Sequence, residues 1–190
     1  MTTLNPPQEN SSTRFQDFVQ RLNGPLHEKA LWTYGVIVVA HWLEHLVQAY
    51  QIYFLHWARP DSRGVLGLWF PILVSSEILH WSYAVVMLIG LVLLRPGFLG
   101  RARTWWNIAL GIQAWHFFEH SLLQWQGITK SFFFGSPVAT SILQIWVPRV
   151  ELHLVYNALV TIPMIIGLYY HMYPPKNAPQ HAFDCTCARR

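Results

Sequence analysis

The amino-acid sequence predicts an all-α protein: an integral membrane four-helix bundle built from two repeated helical hairpins, preceded by a short amphipathic surface helix. Three observations lead there. Hydrophobic residues make up 53% of the 190-residue chain and charged residues 12%, about half the ~25% charge of a soluble domain. Four apolar stretches each reach the ~20 residues that cross ~30 Å of hydrocarbon. Each stretch also holds a glutamate with histidine beside it, although the chain has only six glutamates and ten histidines.

Taken in order, residues 1–28 form a cytoplasmic N-terminal tail. Positions 1–12 are rich in Pro, Asn, Ser and Thr, a composition expected to hold no fixed structure. Positions 13–22 alternate apolar and charged residues at helical spacing and predict a short helix lying on the membrane, ended by Asn23-Gly24-Pro25. No short apolar core with a small-residue cleavage site precedes the first span, so no secretory signal is read. The transmembrane domain covers 29–173. Its first span is about 29–57. The second is about 66–94, entered through Gly67 and Pro71 and ended by Arg95-Pro96-Gly97. The third is about 105–126, and the fourth is about 149–172, closed by Tyr173-Pro174-Pro175. The one long connection, 127–148, contains Phe132-Phe133-Phe134 and Trp146 and is expected to lie on the membrane or dip into it. The cytoplasmic tail, 174–190, holds the only cysteines, Cys185 and Cys187. They are too close in sequence to staple two helices together, and in a reducing cytosol they remain thiols; they are read as part of an unstructured tail, with binding soft metals such as Cu(I) or passing metal inward as the alternative. His27, His56, His171 and His181, at span ends or in the tail, are read as interfacial.

Orientation follows from Lys and Arg. Arg14, Arg21, Lys29, Arg95, Arg101, Arg103, Lys176, Arg189 and Arg190 fall on one side, and Arg59, Arg63, Lys130 and Arg149 on the other. Both termini are therefore expected in the cytoplasm. The net charge of +4 reflects this topology; no Lys/Arg-rich run or RNA-binding motif points to nucleic acid. The expected partners are the lipid bilayer and a lipophilic substrate or redox partner. Oligomeric state is not legible.

The spans repeat. His41-x-x-Glu44-His45 in the first echoes His116-x-x-Glu119-His120 in the third, and His80-x-x-Tyr83 in the second echoes His153-x-x-Tyr156 in the fourth. The unit is thus a helical hairpin used twice. Residues at i, i+3 and i+4 share a helix face, so His41, Glu44 and His45 point one way, as do His116, Glu119 and His120, and Glu77 with His80. Glu151 and His153 are about 200° apart around the helix. Only one faces the axis, and the repeat selects His153. Counted from the cytoplasmic ends at 1.5 Å per residue, Glu44, His45, His80, Glu119 and His120 lie about 21–24 Å up, and Glu77, His153 and Glu151 about 27–31 Å up. One layer in the outer half of the membrane therefore collects most of the group.

Ionisable groups at such depth mark a functional site. The layer resembles the ferritin-like di-iron carboxylate pattern, which takes a Glu from each of two helices and Glu-x-x-His from each of the other two. Glu44 and Glu119 match the single carboxylates and Glu77-x-x-His80 the paired motif. Glu151-x-His153 departs from it by one residue, and His41, His45, His116 and His120 exceed the usual set. The resemblance covers this layer and implies two divalent metal ions. Packed carboxylates would repel and protonate; two cations would neutralise them. Imidazole with carboxylate suits iron, zinc or manganese, and copper tolerates the histidines. The expected metal-site residues are His41, Glu44, His45, Glu77, His80, His116, Glu119, His120, Glu151 and His153. Gln48, Tyr83, Gln113, Gln124, Tyr156 and Asn157 are the expected hydrogen-bonding supports.

The reading is an integral-membrane metal-binding protein, a dinuclear non-haem oxidoreductase whose catalytic residues sequence does not name. Three readings stand beside it. A haem b-binding electron-transfer subunit would use facing histidines but leaves a Glu on every helix unexplained. A proton or metal transporter would need a polar path to both faces, whereas Val85–Leu94 and Val160–Leu168 are nearly all apolar. H-x-x-E-H also occurs in inverted zinc peptidases, a five-residue match.

Overall fold

The computed structural model describes residues 11–174 and Cys187. The described chain is all-helical, with seven α-helices and no strand. The helices are α1 (Ser11–Asn23), α2 (His27–Tyr53), α3 (Leu66–Trp69), α4 (Pro71–Ser75), α5 (Glu77–Leu94), α6 (Gly100–Thr129) and α7 (Arg149–Met172), with 3₁₀ turns at Arg95–Gly97 and Leu143–Ile145. Cys185 and most of the C-terminal tail lie outside the described residues.

The amphipathic stretch forms α1, with Phe15 and Phe18 exposed. It ends at the fully buried Asn23, whose amide donates to the carbonyls of Val19 (2.9 Å) and Leu93 (2.8 Å) while its Oδ1 accepts the Gly97 N–H (2.9 Å). One side chain thus fastens α1 to the far end of α5. The predicted fourth span is α7, residue for residue, and the first and third are close to α2 and α6. The second span, expected as one rod from 66 to 94, is three pieces. Pro71 cannot donate the backbone N–H a continuing helix needs, Phe70 takes a non-helical conformation, and Ser76 is extended. Continuous helix therefore starts only at Glu77.

Three helices, α2, α5 with its 3₁₀ turn, and α7, are long and apolar enough to cross a membrane. The expected third span, α6, is not among them. At 30 residues it is about 45 Å long, but it buries Gln113, His116, Glu119, His120 and Gln126, and these lower its hydropathy. Helix α6 packs along both α5 and α7, and α2 lies against α7 and α5. The helices are apolar on their outer faces, and part of their interior is polar. On α2, Trp32, Val36, Val39, Leu43, Leu46 and Tyr50 are exposed in one stripe, while His45, Gln48 and Gln51 are buried. On α7 the exposed stripe is Val155, Leu159, Ile162, Ile165 and Tyr169. In water that arrangement leaves apolar surface uncovered; against lipid it costs nothing, and packing plus interhelical hydrogen bonds hold the helices together.

The interior divides into two levels. Toward the end that carries α1, Tyr34, Met87, Leu91, Phe98, Trp106 and Met164 form an apolar core. Its polar atoms are satisfied by backbone: Trp106 Nε1 donates to the Leu91 carbonyl (2.8 Å) and Tyr34 Oη to that of Met87 (2.9 Å). At the base of this core His27 and His171 are fully buried with ring centroids 5.0 Å apart, and both rings contact Phe98. Both lie at helix ends, as expected, but their rings are buried within the protein: Gly97 has no side chain, and a Cβ there would meet the His27 ring at 2.4 Å, so the His27 ring tucks inward under the 3₁₀ turn. The second level, farther along α2, α5, α6 and α7, is polar.

Candidate metal centre

Six histidines converge in the polar level. His41 and His45 come from successive turns of α2, His80 from α5, His116 and His120 from successive turns of α6, and His153 from α7. Ring centroids are 4.9 Å apart for His45 and His153, 5.0 Å for His120 and His153, and 6.1 Å for His80 and His120. His45, His116, His120 and His153 are buried, and His41 and His80 partly so.

Ring nitrogens of five of the six lie close to a neighbour's, in the groups His116–His120–His153 and His41–His45. Nε2 of His120 lies 3.2 Å from Nε2 of His116 and 3.1 Å from Nε2 of His153, and the three residues offer ligand atoms all within 4.8 Å of each other. Nε2 of His41 and His45 are 3.1 Å apart. Neutral imidazole has one N–H and one lone pair, so His120 Nε2 cannot accept from one neighbour and donate to the other. His153 Nδ1 lies 2.7 Å from the Arg149 carbonyl. Nδ1 must carry the proton to donate there, which leaves a lone pair on Nε2, facing inward. His45 Nδ1 donates likewise to Gln48 Oε1 (2.8 Å) and His80 Nδ1 to the Ser76 carbonyl (3.3 Å). Ligands about 2.0–2.1 Å from a tetrahedral cation sit about 3.3 Å from one another. The contacts on His120 are close to that edge length.

Glu44 and Glu119 lie beside the histidines and make matching bonds. Glu44 Oε1 accepts the Leu66 N–H (2.7 Å), and Glu119 Oε1 accepts the Leu143 N–H (2.8 Å). Each carboxylate so holds the short helical turn of the loop that follows its own helix. Seven residues on, two glutamines that sequence reasoning missed clamp the same loops. Gln51 accepts the Gly64 N–H (2.8 Å) and donates to its carbonyl (3.3 Å). Gln126 accepts from Phe133 and Thr140 and donates to the Thr140 carbonyl. The signal was present: Glu and Gln stand seven apart in both copies of the motif. Gly64 has φ +72°, and a Cβ there would come 2.2 Å from Glu44 Oε1. Gly64→Ala is therefore expected to cost about 1–3 kcal/mol and to dislodge Glu44, measurable as a lower unfolding midpoint in detergent.

Glu77 and Glu151 are not brought to the histidines with their oxygens open. Arg149 grips Glu77 with a two-pronged fork (2.6 and 2.5 Å). Arg59 grips Glu151 in the same way (2.9 and 2.5 Å), and Tyr53 also donates to Glu151. Both acids sit in the first turn of their helices, where the helix dipole favours negative charge. Their expected place among the metal ligands is thus taken by ion pairing.

The supporting residues divide. Gln48 holds His45. Tyr83 stacks on His41 (3.6 Å) and donates to the Ile37 carbonyl (3.3 Å). Tyr156 packs on His116 (4.2 Å) and donates to Glu119 Oε2 (2.6 Å). Gln113 instead donates to the Ala84 carbonyl (3.3 Å). Gln124 Oε1 and Asn157 Nδ2 are buried without a hydrogen bond among the described residues. Arg149, which sequence did not single out, both orients His153 and neutralises Glu77. Comparison with protein-family models, curated proteins and solved structures returned no match, so the chemistry is argued from the residues themselves.

Proposed function

We propose that the chain is an integral-membrane metal-binding protein, a four-helix bundle of two repeated hairpins with both termini on the cytoplasmic side. In this reading it acts as a dinuclear non-haem oxidoreductase on a lipophilic or small-molecule substrate. The observation that carries it is the meeting of His116, His120 and His153 through their Nε2 atoms, with the His153 lone pair committed inward by the Arg149 carbonyl. The inward lone pair of His153 faces His120 Nε2, and a cation held among the three nitrogens would take that lone pair and those of His116 and His120 together. His41, His45 and His80 are the matching set for the second cation, with Glu44 and Glu119 as the adjacent carboxylates. The matching loop anchors, Glu44 with Gln51 and Glu119 with Gln126, support the repeat.

Imidazole-rich sites suit iron, zinc and copper, and iron would supply valence change when bound. The chain's own residues hold the cations, keep water out through the apolar core below, and fix tautomers through Gln48, Ser76 and Arg149. Elemental analysis and an optical spectrum of the detergent-purified protein test this. About two metal ions per chain and no Soret band are expected. Protein that stays metal-free after incubation with iron, zinc, manganese and copper would overturn the reading, and a Soret band would replace it with haem.

A further inference from the structure

The two halves of the histidine layer match at their histidines and at Glu44 and Glu119 but are not equally full. Around His116, His120 and His153 the remaining void is about 10 Å³. Around His41, His45 and His80 a cavity of about 500 Å³ opens, inside the ~300–1,000 Å³ range of small-molecule sites. Three differences account for it. Ser141 and Gln144 line the closed half; counted from the matched anchors Leu143 and Leu66, their places in the open half are Gly64 and Gly67, and neither lines the cavity. Tyr156 donates to Glu119, whereas Tyr83 turns to the Ile37 carbonyl and leaves Glu44 without that partner. Helix α2 also meets α5 far less extensively than α7 meets α6, so the seam in the first hairpin is the loose one.

The cavity has two ends of different chemistry. Ile37, Val65, Trp69 and Leu79 make an apolar body, and Glu44, His45 and His80 stand on the polar wall. With Nδ1–H of both histidines committed, Glu44 Oε2 and the Nε2 of His80 present acceptor atoms, while the Nε2 of His45 faces that of His41. Among the described residues no Lys or Arg lines the cavity. We propose that this cavity binds a lipophilic molecule bearing a hydroxyl group, a phenol or alcohol, with its apolar body along Ile37, Trp69 and Leu79 and its O–H directed at the Glu44 carboxylate. The inference names a substrate class for the proposed centre and rests on that reading for the chemistry, though not for binding.

The test uses the full chain in lipid nanodiscs and two radiolabelled probes, para-octylphenol and its methyl ether para-octylanisole, with metal content measured on the same samples. The phenol is expected to bind about tenfold or more tighter than the ether, as a hydrogen bond to a charged acceptor implies. Ala40→Trp, at an exposed position of the cavity wall, is expected to weaken both probes about tenfold or more by filling the space. Equal binding of phenol and ether by the unaltered chain would mark an unselective slot for acyl chains and overturn the proposal, whatever the fate of the variant. Phenol preference in protein that takes up no metal would sustain this inference while removing the metal reading. Bound metal without phenol preference would do the reverse.

Discussion

His120→Ala is expected to strip the cation from the closed half of the layer and to lower metal affinity there by at least about 100-fold. Removing a hydrogen-bonding partner of a ligand already costs 10–100-fold, and His120 is the ligand common to both short contacts, 3.2 Å to His116 and 3.1 Å to His153. Its loss leaves two imidazoles on different helices with no third donor at the same point. Competition titration against a chelator measures the affinity, and metal content per chain measures the stoichiometry, which is expected to fall by about half. The control is His56→Ala, an exposed loop residue, for which no change is expected. Unchanged affinity in His120→Ala would mean that the three nitrogens meet only as hydrogen-bonding partners.

What sequence could and could not reveal about this layer has a physical division. Helical spacing reports which residues share a face, and it put His41 with His45, His116 with His120, and His80 opposite His153 through the repeat. All six meet in the structure. Spacing is silent on which charged neighbour reaches a given acid. Arg59 is in the first loop and Arg149 begins α7, yet each arrives at a glutamate 92 and 72 positions away, and these pairings decide that Glu77 and Glu151 hold ion pairs. Helix α7 was legible because Tyr173-Pro174-Pro175 closes a mainly apolar run of helical length. The second span was not, because a hydropathy window averages over the breaks at Phe70-Pro71 and Ser76. The difference in filling between the halves depends on loop side chains such as Ser141 and Gln144, which no helical periodicity locates.

Glu119→Ala is expected to be the most destabilising single change in the layer. The side chain is 2% exposed, and its two oxygens serve two donors, the Leu143 N–H and the Tyr156 hydroxyl. Bonds to a charged acceptor contribute about 1.5–3 kcal/mol each, so losing both is expected to cost roughly 3–5 kcal/mol. Glu44→Ala makes the same change in the other half and is expected to cost less, about 1.5 kcal/mol at the low end of that range, because Glu44 has one such bond, at an exposed site. Unfolding midpoints in mixed micelles compare the two variants directly. Equal midpoints would show that Glu119 does not anchor its loop. Glu119→Gln separates anchoring from ligation: the amide keeps an acceptor for Leu143 but loses the negative charge. A modest loss of stability with intact metal content would assign Glu119 to the loop alone. Loss of metal from a protein still close to its original stability would assign its charge to the cation.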